Sequence, residues 1–412
     1  MRPFKTILRS LSLLALILSF ARAQTDFRAL YPKFKTVSLV NPLPIARSDA
    51  LVCIDLEQLQ FKQLENYSFI VLRDGQEIPS QKLGTKLYLV TDLAPSAQQK
   101  IELRYVKQAN LNRNYPQRTH AELSPKRGGY FQDKKYVGGD FVSVLYEEVP
   151  QEHIDHDTYY RYEGPGWESD LVGYRFYLDW RNRIDIFGKK VRQMVLPGVG
   201  LDGFDSYHTM ADWGMDIFKV GESMGIGSLA LWRSGKLYFV SQVEKITCRI
   251  NADGPVVAQI RTDFQGWQAA DQKRDLKSFL TIAAGSRLTA HKIQLNSSAD
   301  TLATGLAKTA GCLFLQSEPN TDGWHYIALW GLQSLAGDNL GTAIFFRKAD
   351  LVRLTEDELN YLVLLKLTNN NLKYYFAAAW EQEPDGIKDA AAFEKYLNLT
   401  RQLLNNPVQV KF

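Results

Sequence analysis

The stretch Leu171-Val172-Gly173-Tyr174-Arg175-Phe176-Tyr177-Leu178-Asp179 decides how the rest of the chain is read. Extended, its period of two sends Val172, Tyr174, Phe176 and Leu178 to one face and Arg175, Tyr177 and Asp179 to the other. The first face is that of a buried core. The second carries a cation, a phenol and a carboxylate in a row, where a plain solvated face would more often hold Thr, Lys, Glu or Ser. Two uses compete for it. Arg175 and Asp179 form a structural charge pair, or the Arg175 fork grips a ligand carboxylate while Tyr177 carries a proton.

The same alternation recurs on both sides of this segment. From Tyr130 to about Glu383, aromatic-rich segments such as Ile184–Phe187, Val256–Phe264, Ser286–Leu295 and Leu372–Trp380 fit strands, without the helices that βαβ units need. They predict a large antiparallel double sheet over residues 130–412. Upstream, Val37–Val40, Leu51–Leu56, Tyr67–Leu72, Lys86–Val90 and Lys100–Tyr105 are separated by Asn-Pro, Asp-Gly and Ala-Pro turns. That rhythm predicts a small immunoglobulin-like β-sandwich over residues 24–106. Residues 107–129, with Asn110, Asn112, Asn114 and Pro116, are expected to form a linker. Two helices are expected: a short one at the Thr355–Glu358 capping box, and Asp389–Asn405, which lines up Ala392, Phe393, Tyr396, Leu399, Leu403 and Leu404 before Asn406-Pro407.

The fold class is thus mainly β, a large antiparallel supersandwich preceded by a small sandwich. In 412 residues, 45% of them hydrophobic and 12% aromatic, there is ample apolar material for such cores and no case for disorder. The net charge of +4 comes from Arg2, Lys5, Arg9 and Arg22, and without the first 23 residues the basic and acidic residues are equal in number. No basic field remains to hold nucleic acid. The basic start, the apolar Leu11–Phe20 and Ala21-Arg22-Ala23 read as a secretory signal over residues 1–23, cleaved before Gln24. With no lipobox cysteine and no later span of about 20 apolar residues, the mature chain is expected in the periplasm or outside the cell, without membrane insertion. Cys53, Cys248 and Cys312 have no metal spacing and read as small core residues.

Around the deciding strand lie the residue types that sugar sites use, flat aromatic faces mixed with hydroxyl-binding polar groups. Trp167 and Trp213 are placed on loops, Trp180 and Trp232 in the core. Asp170, Asp205, His208, Asp212 and Lys219 are the polar candidates beside them. The run His153-Ile154-Asp155-His156-Asp157 offers metal-type side chains but no third ligand at a recognised spacing, so His156 is taken as a polar contact near a sugar and no metal is assigned. Gly198–Gly203 matches G-x-G-x-x-G without a credible helix behind it, which removes the phosphate-binding reading. No His-Glu-x-x-His run or P-loop is present.

The run from Tyr160 to Lys189, the His208–Trp213 segment and Ala377-Ala378-Ala379-Trp380-Glu381-Gln382-Glu383 together resemble a domain-of-unknown-function family of secreted Bacteroidetes proteins, often encoded beside enzymes that degrade pectin and other uronate-rich polysaccharides. The resemblance covers nearly the whole mature chain. It implies a galactose-mutarotase-like supersandwich for the larger domain and a carbohydrate role, and it assigns no catalytic residue.

The expected function is that of a carbohydrate-active protein, more an enzyme than not, whose partner is an acidic, uronate-containing oligosaccharide. In a lyase, Arg175 would neutralise the carboxylate, His208 would take the proton α to it and Tyr177 would protonate the leaving oxygen. In a hydrolase, two carboxyl groups among Asp170, Asp179, Asp205 and Asp212 would flank the bond. Arg175, Tyr177, His208, Asp179 and Asp212 are therefore the catalytic candidates, and His156, Trp167, Asp170, Asp205, Trp213 and Lys219 the substrate contacts. No cofactor is required, a divalent cation stays open, and the oligomeric state is unspecified. A non-catalytic glycan binder, a mutarotase-like epimerase and a structural envelope protein are the alternatives.

Overall fold

The computed structural model describes residues 27–108, 111, 113–203, 206–297, 301–318 and 321–412. The expected signal sequence lies outside them. The chain divides into two compact units, residues 1–115 with 408–412, and residues 116–407.

In the smaller unit two antiparallel sheets face each other across one apolar core. One has the order Gln409–Lys411, Lys33–Val40, Gln98–Val106, Ser68–Arg73, Gln76–Ile78, and the other Arg47–Asp55, Lys86–Leu93, Ser80–Leu83. Alternate residues of each sheet meet inside, Val37, Leu39 and Leu103 from the first against Val52, Ile54 and Leu89 from the second. The Asp74-Gly75 turn works as its sequence suggests. Both residues take positive φ (50° and 78°), and Arg73 pairs with Gln76 across a two-residue hairpin loop. The last strand departs from the expected boundary at 130–412: Val410 pairs with Leu39 and, with Val408, covers an edge of this smaller core.

The larger unit is built on a nine-stranded antiparallel sheet, running from Tyr146–Glu148 at one edge through Gln272–Ala283 and Asn371–Trp380 to Leu313–Gln316 at the other. Two five-stranded sheets share its main core. One has the order Gly214–Asp216, Ile184–Lys189, Val172–Phe176, Gly166–Ser169, Thr119–Glu122, and the other runs from Lys236–Phe239 through Thr301–Ala307 to Leu351–Glu356. On the opposite face of the nine-stranded sheet lies the helix Ala390–Asn405, where Phe393 and Leu397 pack on Trp330, Tyr326 and Phe345. With both faces covered, Trp324–Trp330 is buried at every position instead of alternating.

Four expectations fail at this level. Thr119–Glu122 is no linker but an edge strand paired with Gly166–Ser169, its Ala121 in the main core. Thr355 sits in a strand rather than opening a helix: Leu351–Glu356 pairs with Asn360–Lys366, and the Asp357 carboxylate accepts the backbone N–H groups of Leu359 and Asn360 to close the turn. The helix Ala390–Asn405 is capped by Asp389, which accepts from Ala392 N at 2.8 Å, but its buried stripe is Phe393, Leu397 and Thr400, and Leu399 is exposed. Of the three cysteines only Cys248 is a core residue, while Cys53 is exposed because its strand turns it outward.

Candidate functional site

The hairpin of Val172–Phe176 and Ile184–Lys189 carries the site. Its register sets Arg175 directly opposite Asp185, and Tyr174 opposite Ile186. Val172, Tyr174, Phe176, Ile184 and Ile186 enter the main core, so Arg175 and Asp185 project from the other face. That face is also buried. Residues 190–203 and 206–213 fold back over it, with Leu196, Val199 and Tyr207 packing on Tyr162 and Phe187. Two buried side chains hold this cover down: the Glu168 carboxylate accepts from Val195 N and Leu196 N while also taking Lys189 Nζ at 2.5 Å, and Arg161 donates to the carbonyls of Leu196 and Pro197.

Under the cover Arg175, 3% exposed, is the centre of a charge cluster. Its Nη2 donates to Asp216 Oδ2 at 2.5 Å and to Asp185 Oδ2 at 2.7 Å, its Nε to Asp185 at 3.1 Å, and its Nη1 to the Tyr207 hydroxyl at 3.0 Å. The Tyr177 hydroxyl donates to Asp185. A third carboxylate, Glu163, lies 3.5 Å from Arg175 Nη1 and is also paired with Arg181, which binds Asp179 in turn. Four carboxylates thus surround two guanidinium groups, in a place that water barely reaches. Burial first, and the charge of Asp216 second, push the Asp185 carboxyl up to about 7 against the pull of Arg175. Burial likewise pushes the Tyr177 hydroxyl well above its usual value, with Arg175 opposing.

Two groups of the cluster, His208 and Glu163, bring it to the surface beside the partly exposed Arg181. His208 Nε2 sits 3.3 Å from Asp216 Oδ2 with a third of its side chain exposed. Glu163 lines a cleft of about 450 Å³, together with Asp157, Arg161, Lys126, Phe141 and Asp202. Lys126, which lies over the Phe141 ring, has no carboxylate partner among the described residues. The cleft wall is strained: Thr158 and Glu163 have φ of 64° and 70°, a region that costs a non-glycine residue of order 1–3 kcal/mol and recurs at functional sites.

Of the expected site residues, Arg175, Tyr177 and His208 come together, and Asp179 joins them through Arg181. His156 is half exposed, 3.7 Å from Glu163. The remaining residues disperse. Trp167 belongs to a strand, not a loop: it is fully buried, stacked on Tyr174, and donates from Nε1 to Thr289. Asp170 is held by Arg118 and by Gly285 N in a structural contact. Trp213 is half-buried with its ring 6.0 Å from Phe187. Asp212 and Lys219 are exposed, Asp212 without an ion pair among the described residues, and Asp205 lies outside those residues. Trp180, expected in the core, is 55% exposed because it sits at the hairpin tip. The roles of Arg175 and Tyr177 also change: the guanidinium is shared by protein carboxylates, and the phenol proton by Asp185, so neither is left to meet a ligand.

Sequence reasoning missed Asp185, Asp216, Glu163 and Tyr207. One signal was available: a carboxylate between Ile184 and Ile186 has to face away from the core, on the side that Arg175 occupies in the neighbouring strand. Gly198–Gly203, expected to be an open loop, instead ends the 3-10 turn Leu196–Gly198 and continues into the buried Val199 and Gly200, with Gly200 and Gly203 at positive φ.

The family model described as Domain of unknown function (DUF4861) matches residues 39–410. An uncharacterised protein, P7, of Formosa agariphila is 24% identical over 325 residues, covering 70% of this chain and 76% of that one. Among solved structures, a glycosyl hydrolase family 38 protein of Enterococcus faecalis is similar at 9% identity and a TM-score of 0.44, over 92% of this chain and 47% of that one. A Klebsiella pneumoniae chain assigned to the aldose 1-epimerases is similar at 10% identity and a TM-score of 0.32, over 58% of this chain and 83% of that one. The chain spans less than half the length of the hydrolase.

Proposed function

We propose that this protein, which belongs to the DUF4861 family of unknown function, binds a saccharide in the Glu163 cleft and transforms it by acid–base chemistry delivered by His208 and Glu163. The observation that supports this most is the buried cluster itself: an arginine holding three carboxylates, with an imidazole at the surface and a carboxyl in the wall of a cleft. Such a cluster keeps the two reachable groups in fixed places and sets the field in which they exchange protons. Arg175, Tyr177, Asp185 and Asp216 are then positioning residues. Uronate specificity, as a lyase or a hydrolase, is the finer proposal, and it has to rest on Lys126, the cleft cation without a carboxylate partner among the described residues. Export through the signal sequence at residues 1–23, to the periplasm or beyond, belongs to the same proposal. Among the described residues no helix is long and apolar enough to cross a membrane.

The test is a panel of uronate and neutral oligosaccharides followed by reducing-end release, by ultraviolet absorbance of a new conjugated double bond, and by the anomeric proton spectrum. These separate hydrolase, lyase and epimerase. His208→Ala or Glu163→Gln should lower turnover by roughly 10² to 10⁴ with affinity within a few-fold, because acid–base help acts in the transition state. Lys126→Ala should weaken binding of acidic sugars only. Binding without any product, and variants that change affinity alone, would leave a glycan-binding protein instead.

A further inference from the structure

We propose that the indole of Trp180 is the stacking platform of a second saccharide subsite, reached from the Glu163 cleft past His156 and Asp155; this rests on the saccharide reading above. The platform is rigid. Asp179 and Asn182, on either side of Trp180 and Arg181, are both buried. Asn182 N and Nδ2 donate to the Asp179 carbonyl at 3.1 and 2.9 Å, and Arg181 N donates to Asp179 Oδ1 at 2.8 Å. The Arg181 guanidinium lies 4.1 Å from the Tyr177 ring centre, tying the hairpin tip to the charge cluster. At this fixed tip the largest apolar side chain of the set is turned to solvent. Its ordering cost is already met before a ligand arrives.

Single exposed hydrophobic residues are common on protein surfaces. Here the surroundings distinguish this one. Trp180 Nε1 is held 3.3 Å from Asp155 Oδ1. The other oxygen of Asp155 is 3.3 Å from His156 Nδ1, and that nitrogen is 3.7 Å from Glu163 Oε1 in the cleft wall. The side chains of Asp155 and His156 are 38% and 51% exposed, open to a ligand. A flat ring face with an acceptor and an imidazole at its edge matches a pyranose, whose C–H face stacks while its equatorial hydroxyls bond in the plane. Burial alone would raise the Asp155 carboxyl, but hydrogen bonds from Trp180 and His156, with the charge of Arg181, together keep it below its usual range, so it stays an acceptor. The class of ligand is an oligosaccharide of at least two pyranose units.

The test is calorimetric titration of the protein with oligogalacturonides and cello-oligosaccharides of one to four units. Affinity of the native protein should rise with length. Trp180→Ala should lose about 10-fold on the tetramer and nothing on the monomer, Trp180→Phe should keep most of the gain, and both should melt at the native temperature, since the side chain is exposed. Equal affinities of the native protein and Trp180→Ala at every length overturn the subsite and leave the cleft reading standing. A loss of equal size on the monomer overturns the separation of the two positions, and a native protein that binds neither series overturns both readings.

Discussion

Replacing Arg175 by methionine tests whether the cluster is a built part of the protein or a ligand fork. The substitution keeps the length and apolar contacts of the stem and removes every donor, so Asp185 and Asp216, both essentially inaccessible, lose their cation together. Removing one partner of a buried ion pair costs about 3–5 kcal/mol, because a charge is left uncompensated in a poorly polarisable place. The cost has a pH signature. The Asp185 carboxyl already has a folded-state pKa raised to about 7, above the about 3.9 of an unfolded aspartate. A raised carboxyl contributes stability that is fully present below the unfolded value and lost as pH rises through the folded one. Without Arg175 the folded value climbs further, so the deficit of the variant should be small at pH 5 and widest at pH 8. Urea unfolding followed by tryptophan emission measures it cleanly, since all eight tryptophans lie at position 167 or beyond, within the larger unit. Adding Asp185→Asn to the variant should recover part of the loss at pH 8, as coupled neighbours do in a double-mutant cycle. An unchanged urea midpoint at both pH values, with weaker binding of acidic sugars alone, would refute the reasoning and restore Arg175 as a ligand fork.

Three smaller perturbations follow from other parts of the fold. Trp167→Phe leaves Thr289 Oγ1 without its donor in a fully buried position, and should cost about 1–3 kcal/mol in the same urea assay while sparing saccharide affinity. Asp389→Ala removes the cap of Ala390–Asn405 and should lower stability by about 1 kcal/mol, read from the urea midpoint. Deleting residues 408–412 strips the edge strand from Ser38–Val40, so amide exchange at 38–40 should speed up, with no change in the strands of the larger unit.

The fold class was legible in the sequence, because the period of a strand is a local property of the backbone. Alternation of Val172, Tyr174 and Phe176 against Gly173, Arg175 and Tyr177 predicts the strand and its two faces, and the Asp74-Gly75 turn and the Asp389 cap are equally local, since their partners lie within three residues. Tertiary structure alone decided what the faces meet. Arg175 is neutralised by Asp185, ten residues on, and by Asp216, forty-one residues on. The second is brought in by a strand pairing at the sheet edge, and neither composition nor spacing announces it. Leu196, Val199 and Tyr207 then turn an outer sheet face, which sequence alone would leave in contact with ligand, into an interior. The two tryptophans exchange places for the same reason: Trp167 falls where another sheet covers it, and Trp180 at a hairpin tip that leaves it 55% exposed. Burial and charge pairing depend on which distant surface arrives, and a local pattern carries no information about that.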